Sequence, residues 1–427
     1  MTDISDSLKM ASKYDSMIKS NAIRSTLYTD PSIYEEELDK IFYRGWVFIG
    51  HESELLKPGD YIRRDLGRQT LVLVRGQDNV VRVFHNVCTH RSSLVVLKSY
   101  GNTKFMACPY HGWVYNLQGQ LIETPQPAGY GDDFKKEDHG MKPVAEMGTY
   151  RGFIFVKLIA GGITLDEHLG SGKKLIDMAC DLSPEGEIQL TAGWTKHKIR
   201  ANWKTQPDNN GCDGYHVGFV HGSFAMATGS QVMDQCVEES KAIGRYWGKG
   251  HFELDFRTGY ASTGRPFEWF GRISPSKLPN YISAMEEAYG KEKATDLFLK
   301  GPPHAIIFPN LFLGELNIVF TLPTAVNECV QLYTPMLLKG APEVNGRALR
   351  QSEGAVTPAS FIVPDDIIVA EGLQIAAESL APGWLDLSRG ENRERLDEDG
   401  MKIGDMSDET PNRGFWQHYK ELMSSPN

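Results

Sequence analysis

The sequence predicts an α+β protein: a small antiparallel β domain, then a larger domain in which helices flank an antiparallel sheet. Two observations carry this. Between about Trp46 and Leu158 the apolar residues come in short runs separated by Gly, Asp and Asn turns, the pattern of a compact β domain. Beyond that stretch, strand-like runs are mixed with segments of helical periodicity. At 427 residues and 41% hydrophobic content, the chain has enough apolar material for a sizeable core and length for two to four domains.

In chain order, Asp30 before Pro31 reads as a helix cap with proline at the first helical position. Tyr34, Leu38, Ile41, Phe42 and Trp46 then follow at helical spacing and predict an amphipathic helix leading into the β domain. Strands are expected at Leu71–Val74, Val80–Phe84, Trp113–Tyr115 and Phe153–Leu158. The second domain adds Leu190–Ile199, a helix after Asn202, strand-like runs at Ala305–Leu313, Ile318–Leu322 and Cys329–Leu338, and a helix that Pro364 announces. The acidic stretch Glu391–Glu409 reads as a solvated surface segment. The expected organisation is a helical segment over residues 1–40 that packs on the second domain, a β domain over 41–160, and the second domain over 161–427.

A formal net charge of −10 argues against nucleic acid or an anionic membrane as the main partner. No stretch approaches the roughly 18 uninterrupted apolar residues of a spanning helix, and the first residues lack an apolar run behind a basic tip. A cytoplasmic protein is expected. Six cysteines are too few and too irregularly spaced for a disulfide framework, which leaves thiols or metal ligands.

Within the β domain, Cys88-Thr89-His90 is followed, 17 residues on, by Cys108-Pro109-Tyr110-His111. Two thiolates and two imidazoles can build a tetrahedral zinc site or hold a [2Fe–2S] cluster with thiolates on one iron and imidazoles on the other. Spacing separates the two only weakly. The neighbours favour iron, because Pro109, Gly112 and Trp113 make a tight, shielded loop in which backbone donors and burial can set a potential. CTHR with CPYHGW resembles the Rieske cluster motif. That resemblance implies that Cys88, His90, Cys108 and His111 bind one [2Fe–2S] cluster.

A Rieske domain needs only about a hundred residues, so the rest of the chain calls for its own explanation. Asn202-Trp203-Lys204 opens a segment that carries Asp213, His216 and His221. Asp213 and His216 would share a helix face, but His216 and His221 lie roughly 140° apart on a regular helix. A π-type bulge or a break is therefore expected between the two histidines. With the Rieske motif, the block resembles the mononuclear-iron site of Rieske-type aromatic-ring-hydroxylating oxygenases. By that resemblance His216 and His221 are iron ligands. Asp213 is the aspartate that links this iron to a Rieske histidine of the neighbouring subunit. Asp208-Asn209 stands where the family more often has Glu-Asn, which places Asn209 beside the reacting centre. A third, carboxylate ligand must come from downstream, where Pro364-Asp365-Asp366 offers two candidates. Neighbouring helical residues point about 100° apart, so both cannot face one metal. The family pattern selects Asp366, leaving Asp365 as a helix cap.

A two-histidine, one-carboxylate ferrous site keeps positions open for dioxygen. The resemblance implies a large (α) subunit, closest to the benzoate, anthranilate and salicylate branch on PDD at 364–366 and WLDLSRG at 384–390. Cofactors would be one Rieske [2Fe–2S] cluster and one mononuclear Fe(II). Partners would be dioxygen, an aromatic substrate, a flavin reductase with or without a ferredoxin, and further subunits in a homotrimer or an α3β3 assembly with a small β subunit. The implied reaction is cis-dihydroxylation. Monooxygenation of the salicylate hydroxylase or demethylase kind is the alternative. The expected substrate wall is Asn210, Val217, Phe308, Leu311 and Ile362, and Leu311–Leu338 carries no Lys or Arg. A buried carboxylate needs a charge partner or several donors. Two substrates stay open, an aromatic acid, favoured by the branch resemblance, and an uncharged arene.

Overall fold

The computed structural model describes residues 13–211, 213–228, 242–255, 275–379, 381 and 383–425. The chain forms two compact units, one spanning Phe42–Gly162 and the other Ile163–Asn427 together with the N-terminal stretch through Ile41. Of the expected helical segment over 1–40, residues 1–12 lie outside the described residues.

The first unit is all β apart from short turns. Val81–His85, Gln69–Arg75, Asp60–Leu66 and Tyr100–Asn102 form a four-stranded sheet in that order. Met106–Ala107, Val114–Tyr115 and Leu121–Glu123 form a second sheet, and Glu146–Tyr150, Phe153–Lys157 and Val47–His51 a third. The first two share a core in which Val72, Val74 and Phe84 pack with Cys88, Cys108, Trp113 and Tyr115. The cysteine loops thus emerge from a packed base, as a rigid metal site needs.

The second unit is built on a nine-stranded antiparallel sheet. Its order is Thr195–Ile199, Glu328–Pro335, Asn317–Ala325, Leu311–Gly314, His304–Ile307, His251–Asp255, Ile243–Gly248, Lys402–Asp405 and Arg395–Leu396. The last two strands fall in the acidic stretch expected to be solvated surface. They add to the sheet edge, where Arg395 and Leu396 stay exposed, while Asp408 is buried beneath a half-exposed Arg393 guanidinium that donates to it. The expected run Ala305–Leu313 is two strands, since Pro309 cannot donate to a ladder and the chain turns there.

Asp30 caps the first helix as expected, accepting a 2.8 Å hydrogen bond from the Ser32 amide, and Pro31 occupies its first position. The regular helix ends at Glu37 and widens into a π-helical turn, Leu38–Tyr43, so that Trp46 falls outside it. The C-terminal helix, Thr410–Ser424, buries Phe415, Trp416, Tyr419 and Met423. The helix announced by Pro364 spans Ile362–Ala377. It starts two residues early because proline is tolerated in a first turn, where its missing N–H would have no partner. Asp365 therefore lies inside the first turn and does not cap it; its Oδ2 accepts from the Ser223 hydroxyl at 2.8 Å.

Two backbone-linked histidines, with a third ring packed nearby, lock the sheet to its surroundings. His251 Nε2 donates to the His168 carbonyl at 2.8 Å, its Nδ1 accepts the Phe308 amide at 3.0 Å, and His168 Nε2 donates to the Phe308 carbonyl at 3.0 Å. The His418 ring stands edge-on to Phe308, 5.0 Å away. Burial pushes His251 down to about 4 and His418 down to about 3. Both stay neutral when folded and take up a proton near pH 6.5 when unfolded. Their stabilisation is complete above about pH 6.5 and is lost as the pH falls toward 4. Denaturant unfolding at pH 7 and pH 5 should show the second unit destabilised at the lower pH by about 2 kcal/mol per histidine. His418→Gln should flatten that dependence.

Candidate functional site

The two cysteine loops close on themselves. The Cys88 amide donates to the Ser93 carbonyl and the Cys108 amide to the Trp113 carbonyl, each at 2.8 Å. Gly112 permits the second closure, since its φ of +68° is a conformation that side chains disfavour. Both thiols are buried and unbridged. The His90 and His111 rings stand 4.7 Å apart, and Trp113 stacks on His90 at an interplanar angle of 9°. Nδ1 of each histidine is buried without a hydrogen-bond partner. Orphaned imidazole nitrogens beside two free thiols are what a two-sulfur, two-nitrogen metal centre requires. The sequence reading missed Tyr115, whose hydroxyl lies 3.2 Å from Cys88 Sγ and 3.1 Å from Thr89 Oγ1. Its signal was a buried tyrosine two residues past the Trp113 turn.

The second centre joins two segments distant in sequence. Helix Thr205–Asn210 ends before a turn in which Asp213 Oδ1 accepts from the amides of Tyr215 and His216, at 2.8 and 3.2 Å. Asp213 therefore caps the next turn and does not share a helix face with His216, as the spacing had suggested. A single helical turn, Val217–Val220, separates the histidines. The expected break falls at His221, whose φ of −94° and ψ of 26° take it off the helix before Gly222–Thr228 resumes. His216 Nδ1 donates to the Asp213 carbonyl at 2.5 Å, which leaves Nε2 as the nitrogen turned toward Asp366 and available to a metal.

His216 Nε2 and His221 Nε2 lie 3.4 and 3.3 Å from Asp366 Oδ1, and a ligating atom of each of the three lies within 4.8 Å of the others. Adjacent ligands on an ion with bonds of about 2.1 Å are separated by about 3 Å, so the trio fits one side of a metal ion. Burial works against charging His216, but Asp213 and Asp366 outweigh it and lift the imidazole to about 10. That negative field also draws a cation. For His221 burial prevails over Asp366 and lowers it.

The geometry is held at two points. Asn209 Nδ2 donates to Asp366 Oδ1 at 3.0 Å, and eight residues along the same helix Gln374 Oε1 accepts from the Asn202 amide at 2.9 Å. These rungs stand about 12 Å apart on the helix axis and fix both its register and its tilt.

A model of the Rieske [2Fe-2S] domain matches residues 45–141, and one of the ring hydroxylating alpha subunit (catalytic domain) matches residues 189–425. The chain belongs to the family of ring-hydroxylating alpha subunits. It accordingly takes one Rieske [2Fe–2S] cluster and one mononuclear iron. Toluate 1,2-dioxygenase subunit alpha of Pseudomonas putida is 29% identical over 85% of this chain and 80% of its own length. Anthranilate 1,2-dioxygenase large subunit of Acinetobacter baylyi is 28% identical over 86% and 80%. Among solved structures, naphthalene 1,2-dioxygenase from Rhodococcus sp. bound to indole superposes with a TM-score of 0.84, at 22% identity over the whole of both chains. The relatives include the benzoate and anthranilate branch to which the motifs point.

Next to Asn209 lies a small void of about 10 Å³, room for about one water, between Gln206, Pro207 and Asn210 on the helix and Ile306, Phe312 and Thr321 on the sheet. Asn210 borders this void and Phe308 and Leu311 do not, but the void is too small to be the expected substrate wall. Strand alternation turns Phe312 toward the cavity and Leu311 to the opposite face, while Phe308 packs against Phe415 and His418. Val217 and Ile362 begin the helical elements around the metal trio and do not line this cavity.

Tyr115 is expected to tune the cluster, because a donor to a ligating sulfur favours the reduced, more negative state. Tyr115→Phe should lower the midpoint potential by roughly 60 mV in spectroelectrochemical titration, the equivalent of about 1.4 kcal/mol. An unchanged potential would remove that role.

Proposed function

We propose that this chain is the terminal oxygenase component that cis-dihydroxylates an aromatic ring, with Cys88, His90, Cys108 and His111 holding the cluster and His216, His221 and Asp366 holding the mononuclear iron. The convergence of two imidazole Nε2 atoms on one carboxylate oxygen, at 3.3 and 3.4 Å, is the observation that carries this reading. When bound, the cluster supplies electrons one at a time and the ferrous ion binds dioxygen. The balance is one arene, one dioxygen, two electrons and two protons giving one cis-diol.

The chain's own groups do the positioning. Asn209 restrains the Asp366 carboxylate through Oδ1, and the Asp213 carbonyl fixes the tautomer and plane of His216. Asp213 keeps one further contact free. Its side chain is 31% exposed and Oδ2 lies 3.6 Å from His216 Nδ1. A donor arriving from outside can therefore reach the carboxylate that already touches an iron ligand. This supports a head-to-tail trimer, alone or with a small β subunit, in which His90 or His111 of a neighbouring copy completes an electron bridge at Asp213. Rings closed by heterologous contacts have this form. The electrons come from a flavin reductase, with or without a ferredoxin.

A second reading, monooxygenation, is favoured by a relative named N,N-dimethyl phenylurea N-demethylase subunit alpha, from Sphingobium sp., 28% identical over 70% of this chain and 66% of that protein. Turnover of the loaded oxygenase under ¹⁸O₂ with a generic reductase separates the two. Dihydroxylation puts two labelled oxygens into the ring product, and a single label would establish the monooxygenase. Asp213→Ala should retain both metal centres and lose more than about 90% of coupled turnover, which corresponds to at least 1.4 kcal/mol in the transfer step. Full product formation by this variant would refute the bridge.

A further inference from the structure

The WLDLSRG motif at 384–390 supplies none of the three iron ligands. It runs instead as a strap between two anchors. At its start, Trp384–Asp386 pairs antiparallel with Ala22–Arg24, and the cations of Lys19 and Arg24 lie 4.0 and 4.4 Å from the Trp384 ring centroid. Leu387 is buried, and its amide donates to the Asn21 carbonyl at 2.8 Å. At its end, the Arg389 amide donates to Glu409 Oε2 at 3.1 Å, and the Arg389 carbonyl accepts from Arg413 Nη1 at 2.9 Å. Arg389 Nε donates to the Ser407 carbonyl at 2.8 Å. Main chain and side chain of Arg389 are therefore both fixed, although the residue is exposed.

The strap delivers that guanidinium to one aromatic ring. Arg389 Cζ lies 3.9 Å from the Tyr215 ring centroid, and Phe219 stands edge-on to Tyr215 at 5.5 Å. The amide of Tyr215, with that of His216, holds Asp213 Oδ1. Beside it, Gly214 packs so closely that a Cβ there would collide with the Met406 carbonyl oxygen and side chain. The turn that aims Asp213 is thus seated on Met406 at one residue and covered by Arg389 at the next. Hydrogen bonds within the turn set its shape, but only contacts with other segments set where it stands. The helical turn that follows, Val217–Val220, buries none of its residues and gives little anchorage. The position of Asp213 therefore depends on Met406 and Arg389.

We infer that Arg389 is a positioning residue: by covering the Tyr215 ring it holds the Asp213 carboxylate where electrons pass from a cluster to the mononuclear iron. The inference rests on the bridge role of Asp213 and adds the side chain that keeps the bridge in place. Arg389 acts through the Tyr215 ring, and Tyr215 through its own amide. A guanidinium that acted only by its charge on Asp213 would need no ring, so replacing the ring separates positioning from electrostatics.

The test needs no substrate. Loaded holoenzyme with both centres oxidised is mixed with dithionite equivalent to one electron per chain. Freeze-quench electron paramagnetic resonance then follows that electron as the reduced cluster is re-oxidised and the ferric mononuclear site becomes ferrous. The rate in Asp213→Ala gives the background that bypasses the bridge. Arg389→Gln should slow the transfer about fivefold, the fold-change that about 1 kcal/mol gives, with iron content and cluster potential unchanged. Hydrogen exchange at the Tyr215 and His216 amides should rise by a similar factor. Arg389→Lys, which keeps a cation over the ring, should recover most of the rate, and Tyr215→Phe should retain it. Tyr215→Leu should slow transfer as Arg389→Gln does, and the double variant no further than either alone. Unchanged exchange in Arg389→Gln, faster exchange without slower transfer, or losses that add in the double variant would each overturn the inference. A slow Asp213→Ala beside an unaffected Arg389→Gln removes Arg389 and leaves the bridge standing. An Asp213→Ala that transfers at the unaltered rate removes the bridge, and the role of Arg389 with it.

Discussion

The placement of one largely enclosed carboxylate governs this molecule. Asp366 must stand with its Oδ1 between two imidazoles that arrive from a segment about 150 residues earlier in the chain. A carboxylate taken out of water is costly unless charge and donors accompany it, so the surroundings of Asp366 have to be fixed before the acid is useful. The fixing begins at the other end of the Asn202–Asn209 segment. Lys204 and Glu37, both fully buried, pair at 2.5 Å, and Glu37 also accepts from Trp203 and Tyr419 at 2.8 and 2.6 Å. Removing one partner of such a pair typically costs about 3–5 kcal/mol, because the other charge is stranded. Asp208, one turn on, is held by the Tyr28 hydroxyl and the Asn412 amide. The N-terminal segment and the C-terminal helix thus meet on the helix that delivers Asn209 to Asp366.

This arrangement explains why a conformationally awkward stretch can serve as a ligand platform. The chain from Asp213 to His221 contains only one helical turn, and its histidines leave that turn at either end. Regular helix would carry the two rings apart, whereas the capped turn brings them to 5.2 Å. The local structure is weak, and the two rungs to the helix Ile362–Ala377 supply the order it lacks. The first unit solves the same problem differently. Its loops are short, closed by their own backbone hydrogen bonds, and set on a packed core, so the four donors need no distant anchor.

Much of this was legible in the sequence, and the gaps have physical reasons. The paired Cys-His loops and the His216/His221 spacing could be read because metal chemistry restricts both residue type and separation. Asp366 over Asp365 came from the angular step between helical neighbours together with the family pattern. Which strand residues face the helix Thr205–Asn210 was less legible: Leu311 and Phe312 are equally apolar, and only the register of the strand pair decides which one turns toward it. The buried file in which Gln331 bonds both Thr321 across the strand pair and the Tyr333 hydroxyl went unnoticed because no local rule marks a polar residue in an apolar strand until its cross-strand neighbour is known. The acidic stretch Glu391–Glu409 was misread only in its later part, since charge density does not reveal that Lys402–Asp405 pairs into the sheet or that Asp408 is buried beneath a half-exposed Arg393.

The two halves of the account, an electron-relaying cluster and a separate oxygen-binding iron, make one compositional demand. Iron and acid-labile sulfide analysis of fully loaded protein, with electron paramagnetic resonance of the reduced cluster, measures it directly. About three irons for every two sulfides per chain are expected, falling to about two in Asp366→Ala with the reduced-cluster signal unchanged. An iron content that Asp366→Ala leaves untouched, or no more than two irons in the unaltered chain, would contradict it.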